Sequence, residues 1–138
     1  MIKVVLDKGA YMPKKAHEHD AGYDLRTPCG NIIPAGGSTV FDTGVHIAIP
    51  KGFTGEIVSR SGLNIRQDIV CPQGTVDAGY TGSIKVKLYN LGNRFYEIHP
   101  GDKIAQLIIV PIAREGLEEV EELDNTERGD NGFGSSGR

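Results

Sequence analysis

The sequence predicts an all-β domain interrupted by one short helix. Nineteen glycines and seven prolines in 138 residues punctuate the chain too often for long helices and suit short strands joined by tight turns. Apolar and polar residues alternate at the strand period of two in Val45-His46-Ile47-Ala48-Ile49 and again in Ile84-Lys85-Val86-Lys87-Leu88. A third stretch, Lys103 to Pro111, is apolar almost throughout, as a strand buried on both faces would be. The length suffices for one domain with its own core, without metal or disulfide staples.

Taken in order, Ile2 to Leu6 reads as a short apolar strand. Lys8 to Asp20 reads as a polar loop in which Pro13 discourages helix. Within it, His17-Glu18-His19-Asp20 has the residue types of a metal cluster, but its histidines are two apart and lack the i, i+4 helical spacing of zinc-protease motifs. A solvated loop is the better account. Asn31 to Ile33 is a strand stopped by Pro34, Ala35-Gly36-Gly37 a turn, and Thr39 to Phe41 a strand leading into the alternation from Val45, which leaves His46 on an outer face. Pro50-Lys51-Gly52 turns the chain into a strand from Thr54 to Ser59.

At Arg60-Ser61-Gly62-Leu63 the strand gives way to a helical piece running to about Gln67, with Ser61 placed to cap it. Free amides at that point, with Arg60 beside them, would suit a phosphate; a capping serine next to a surface arginine is the plainer reading of the tetrapeptide alone. After Ile69-Val70-Cys71, the run from Ser83 to Tyr89 turns Ile84, Val86 and Leu88 inward and Lys85, Lys87 and Tyr89 outward. Asn90 to Asn93 makes a turn, Arg94 to Ile98 a strand, and His99-Pro100-Gly101-Asp102 another turn. Gln106 breaks the apolar run that follows, and a buried amide needs partners, so it either ties strands together or faces a ligand. Glu115 to Glu122 is an acidic run suited to a solvated edge.

Composition limits the function classes. A net charge of -3 gives no basic face for general nucleic-acid binding, and no apolar run approaches the roughly 20 residues that span a bilayer. Cys29 and Cys71 lack metal-site spacing and fit a reducing compartment. The N-terminus reaches Asp7 too soon to supply the apolar core of a signal peptide, so a cytoplasmic protein is expected.

Candidate chemistry gathers in three places. Gly74-Thr75-Val76-Asp77-Ala78-Gly79-Tyr80-Thr81-Gly82 sets one acid and one aromatic ring in a frame of three glycines, which is either an ordinary hairpin or a carboxylate placed at the mouth of a strand. Ala21-Gly22-Tyr23-Asp24-Leu25 places an acid after small residues. From Thr126 to Arg138 the chain has the glycine and serine density of a linker, yet carries Phe133 and a Gly134-Ser135-Ser136-Gly137 loop able to wrap a phosphate, so it reads as a tail that orders over a ligand.

In this order, Ala21 to Leu25, Arg60 to Leu63, Gly74 to Gly82, Gly101 to Leu107 and Arg128 to Gly137 resemble the five motifs of the trimeric deoxyuridine triphosphatase family, the dUTP nucleotidohydrolases. The resemblance implies a jelly-roll-like distorted β-barrel over residues 1–125 and a C-terminal arm over 126–138, flexible or swapped onto a neighbouring subunit of a homotrimer. It implies hydrolysis of dUTP to dUMP and pyrophosphate with Mg2+ held mainly by the triphosphate. Asp77 matches the acid that orients or deprotonates the attacking water, and a carboxylate in water is ionised at neutral pH and available as a weak base. Tyr80 matches the ring that leaves no room for a 2'-hydroxyl. Gly74, Thr75 and Val76, with the facing strand near Lys85, match the hairpin whose main chain reads uracil, a task suited to fixed amide donors and acceptors.

By the same resemblance, Arg60, Ser61, Gly62 and Gln106 match phosphate-contacting positions, and Asp24 an acid that acts on the metal through its water. Arg128 matches the arginine reaching the γ-phosphate, Phe133 the ring over uracil, and Gly134, Ser135 and Ser136 the loop around the phosphates. The chain departs from many members at Gly79, where they carry a second acid, and at Cys71-Pro72-Gln73, where some carry asparagine. The related dCTP deaminases share the barrel and remain the nearest rival, though Arg60-Ser61-Gly62 and the Phe133 arm favour the triphosphatase. A non-catalytic trimer binding a partner through the loop from Lys8 to Asp20 or the acidic edge is a rival from another class.

Overall fold

A computed structural model describes all 138 residues. Eleven strands and one helix follow in the order β1 (Val4–Leu6), β2 (Tyr23–Arg26), β3 (Asn31–Ile33), β4 (Ser38–Asp42), β5 (Val45–Ile47), β6 (Phe53–Val58), α1 (Ser61–Gln67), β7 (Ile69–Val70), β8 (Gly74–Val76), β9 (Lys85–Asn90), β10 (Tyr96–Ile98) and β11 (Lys103–Pro111). They form antiparallel sheets of order β2-β11-β6-β8 and β4-β9-β7, with two-stranded ribbons β1-β5 and β10-β3, and together build the jelly-roll-like barrel.

The core is made by the alternation. Ile84, Val86 and Leu88 are buried from β9 and its approach and meet Leu25, Ile33, Val45, Ile104 and Leu107, each such side chain contributing roughly 1.5–3 kcal/mol by leaving water. Size and not conformation requires glycine at position 55: a Cβ there would fall 2.9 Å from Leu107 Cδ1, so β6 can lie close to the core only without a side chain. Buried side-chain nitrogen and oxygen atoms all have hydrogen-bond partners. Asn90 Nδ2 donates to the carbonyls of Ile33 at 3.0 Å and Arg94 at 2.7 Å, tying β9 to β3.

Four expectations are corrected. Ser61 does not cap α1; Arg60 occupies the N-cap position without a side-chain hydrogen bond, and the helix closes on Asp68 in the left-handed region at φ 56°. Only the first half of β11 is closely covered: Ile104, Ala105 and Leu107 are buried, whereas Ile108, Ile109 and Val110 are half-buried. The run from Glu115 to Glu122 is not a sheet edge, because no strand follows Pro111 and Leu117 and Val120 stand exposed in irregular chain. Finally, β8 and β9 do not face each other as a hairpin. β8 pairs with β6 and β9 with β4 and β7, so the connection from Val76 to Lys85 crosses from one sheet to the other.

Candidate active site

Asp24, Gln106 and Val58 form one row across β2, β11 and β6. Just beyond Val58 the chain leaves the sheet and turns into α1, which brings Arg60, Ser61 and Gly62 over the same end. The result is a polar cavity of about 280 Å³ that also takes in Ala16, His17, Asp20 and Ala21 from the preceding loop. Gln106 Nε2 donates to the Ser59 carbonyl at 3.1 Å, answering the question its place in an apolar strand raised: it ties β11 to the segment entering α1. Gly22 makes this possible, because any side chain there would collide with the Gln106 amide.

Asp24, its side chain 16% exposed, is held by two cations, Lys103 Nζ at 2.6 Å and Arg60 Nε at 3.4 Å. Sequence reasoning missed Lys103. The available signal was a lysine opening an otherwise apolar strand. At the rim the His17 amide donates to Asp20 Oδ2 at 2.8 Å, which holds the Asp20 carboxyl below its ordinary 3.8. Arg60, Lys103 and the Gln106 amide offer donors to an anion there, beside the two carboxylates of Asp24 and Asp20.

A second cluster lies at the other edge of the sheet. After β8, the Tyr80 amide donates to the Asp77 carbonyl at 3.1 Å, closing a turn whose third residue, Gly79, sits at φ 97°; this is the type II geometry that calls for glycine. The Asp77 carboxylate is exposed. Tyr80, 47% exposed, folds back so that its hydroxyl donates to the Ser83 carbonyl at 3.1 Å and its ring covers Gly82, where a Cβ would come within 3.0 Å of Cε2.

Two side chains from the β4–β5 corner fasten this loop. Ser83 Oγ donates to Asp42 Oδ1 in a short hydrogen bond; together with the Gly44 amide it holds the Asp42 carboxyl below its usual 3.8. His46 Nδ1 lies 2.7 Å from the Thr81 carbonyl. Lys85 is exposed on β9 opposite Asp42, in the sheet that does not contain Gly74, Thr75 and Val76.

Val76 is level with Gly55 and Ile109, whereas Asp24 is level with Gln106, three residues away along β11. At about 4.8 Å per strand spacing, the three spacings from β2 to β8 put the clusters about 14 Å apart across the sheet, and about 10 Å apart along it. The tail joins neither cluster. Arg128 Nε donates to the Asn131 carbonyl at 2.9 Å, and Gly134, Ser135 and Ser136 form local turns. Phe133 is fully exposed.

The dUTPase family model matches residues 8–137. The chain belongs to the dUTPase family. Among curated dUTPases, the deoxyuridine 5'-triphosphate nucleotidohydrolase of Corynebacterium glutamicum is 47% identical over 99% of this chain and 95% of that protein. Among solved dUTPases, a mutant of the Staphylococcus bacteriophage 80alpha enzyme with dUpNHpp superposes with a TM-score of 0.92 at 34% identity, over 100% of this chain and 99% of that one. A mutant dUTPase of phage phi11 of S. aureus, described with a structural Mg(II) ion, superposes at 0.83 with 31% identity, over 88% and 97%. The all-β, jelly-roll-like expectation agrees with these dUTPase folds. No helix of the chain is long and apolar enough to cross a membrane.

Proposed function

We propose that this chain hydrolyses dUTP to dUMP and pyrophosphate by attack of water on the α-phosphorus, which keeps uracil out of DNA and supplies dUMP for thymidylate synthesis. The observation that carries this reading is the convergence of Arg60, Ser61, Gly62 and Gln106, with Asp24, on one polar cavity. The dUTP analogue dUpNHpp bound by the phage relative has the polyanionic tail that such a cavity suits.

Asp77 would orient the water and accept its proton. Tyr80, braced by Ser83, would fill the space beside C2' of the sugar, while the backbone of Gly74, Thr75 and Val76 meets the base. Arg60 would take up negative charge as it shifts from the α-phosphate to the leaving pyrophosphate; such reactions depend mainly on positioning and charge neutralisation. When bound, Mg2+ would supply further neutralisation at the phosphate oxygens. The donor set fits an indirect role for Asp24: a carboxylate already paired with Lys103 and Arg60 suits contact through the ion's water, leaving the triphosphate as the main ligand.

The homotrimer is the arrangement that the family resemblance implies, and the separation of the clusters supports sites shared between copies. Asp77 and the phosphate cavity of one chain lie too far apart to act on one α-phosphorus, so each site would join Asp77 and Tyr80 of one copy to the cavity of a second. We assign the barrel to residues 1–125 and a closing arm to 126–138, in which Arg128 reaches the γ-phosphate, Phe133 covers uracil, and Gly134, Ser135 and Ser136 wrap the phosphates. Two free cysteines, Cys29 and Cys71, favour a reducing cytoplasm. The test is pyrophosphate release across the deoxynucleoside triphosphates with Mg2+. Release from dUTP alone is expected, whereas ammonia release from dCTP would replace this reading with deamination. Removal of residues 128–138 should reduce hydrolysis severely while leaving thermal unfolding of the barrel unchanged, and a fully active truncation would remove the arm from the mechanism.

A further inference from the structure

His46 stands on β5 with its side chain 28% exposed and two acceptors aimed at its two ring nitrogens. On one side Nδ1 lies 2.7 Å from the Thr81 carbonyl, and on the other Nε2 lies 3.2 Å from Asp7 Oδ1. A carbonyl and a carboxylate only accept, so both contacts are hydrogen bonds at once only when both nitrogens carry protons. A neutral ring can keep one and must present a lone pair to the other.

Each acceptor is itself fixed. The Asp7 amide donates to the Gly44 carbonyl at 2.9 Å, which anchors the carboxylate-bearing residue to the β4–β5 corner. Thr81 lies between Tyr80 and Gly82, the ring and the glycine it covers. The other end of the loop is secured by Asp42 through Ser83, which leaves His46 as the side-chain brace at the loop's middle.

We propose that His46 is a positioning residue for the Asp77–Gly82 loop: as an imidazolium supported by Asp7, it holds the Thr81 carbonyl and thereby the Tyr80 ring, and this brace slackens as pH rises. The proposal rests on the reading of Asp77 and Tyr80 as substrate-facing. The charged groups around the ring are Asp7 following β1, Asp42 on β4, Lys3 preceding β1 and lining the same surface cavity, and Lys85 on β9 opposite Asp42. The Thr81 carbonyl, then Asp7, hold the imidazolium form above its ordinary 6.5. The sign follows: both contacts are made below the ordinary value, and one of the two is lost as pH rises through the raised one.

Two measurements test this on the full-length protein. NMR titration of the ring gives the ionisation of His46 without reference to activity, and Asp7→Asn should move it down toward 6.5. Kd for dUpNHpp, a non-cleaved dUTP analogue, is then measured from pH 5.5 to 9 for wild type, Asp7→Asn and His46→Ala. Dividing each wild-type value by the His46→Ala value at the same pH cancels the ionisation of the ligand. Wild type should bind tighter at low pH by about two- to fivefold, the range of an exposed charge-assisted contact. That advantage should fall with the NMR midpoint and shift with it in Asp7→Asn. A ratio flat across the His46 titration would overturn the proposal, as would an unchanged midpoint in Asp7→Asn. Absence of dUpNHpp binding at every pH would instead overturn the dUTP reading.

Discussion

Gly82→Ala isolates what Tyr80 does. Gly82 is outside the left-handed region, so alanine fits its backbone and should gain about 0.4–1 kcal/mol from a less flexible unfolded chain. Its new methyl would overlap the Tyr80 ring, approaching Cε2 at 3.0 Å and the hydroxyl end more closely. The ring must swing off, and as it is 47% exposed it has solvent to swing into. Leaving costs the hydroxyl its bond to the Ser83 carbonyl, about 0.5–1.5 kcal/mol. The two effects offset to within about 1 kcal/mol, so Tm should move by no more than about 4 °C. The preference for dUTP over UTP, measured as the ratio of kcat/KM values, should nevertheless fall about 10- to 100-fold, because the space beside C2' is no longer filled. An unchanged ratio in a folded Gly82→Ala protein would refute the claim that the Tyr80 ring, held over Gly82, excludes the 2'-hydroxyl.

Three other outcomes are expected. Asp77→Asn should lower kcat by about 10² to 10⁴ while leaving dUTP affinity within a few fold, since the amide keeps the shape and loses the base; a near-normal rate would show that Asp77 is not the base. Lys103→Met should raise KM for dUTP about tenfold by leaving Asp24 to draw Arg60 away from the phosphates, as charge-assisted contacts of this kind are worth about that much, and steady-state kinetics at fixed Mg2+ would show it. Burial pushes the Cys71 thiol up to about 11, so at pH 8 it stays protonated: a thiol-reactive disulfide reagent should modify exposed Cys29 at once and Cys71 only after denaturation, and two fast thiols would contradict this.

Much of the barrel was legible because period two is a local signal. Ile84, Val86 and Leu88 can be assigned to the core from their spacing alone, and β11 from its apolar length. Strand partners were not legible. Nothing near Gly74 or Lys85 states that their strands join different sheets, since pairing is decided by residues distant in sequence such as Gly55 and Phe41. The same holds for Ser61. The residue type favours a cap, but the turn out of β6 places Arg60 at that position, leaving the cap unused. In the polar cavity beside Asp24, single residues were visible while their electrostatic partner was not: Lys103 acquires meaning only once β11 is laid beside β2.

The separation of the two clusters within one chain also has a genetic consequence. On the shared-site reading, chains damaged at Asp77 and chains damaged at Arg60 are each inactive alone, yet a mixed trimer contains junctions where the intact loop of one meets the intact cavity of the other. Co-expressing two dead alleles should therefore restore part of the activity. A single allele dead at both positions, mixed with intact chains, should spoil two junctions for every copy it contributes beside intact neighbours.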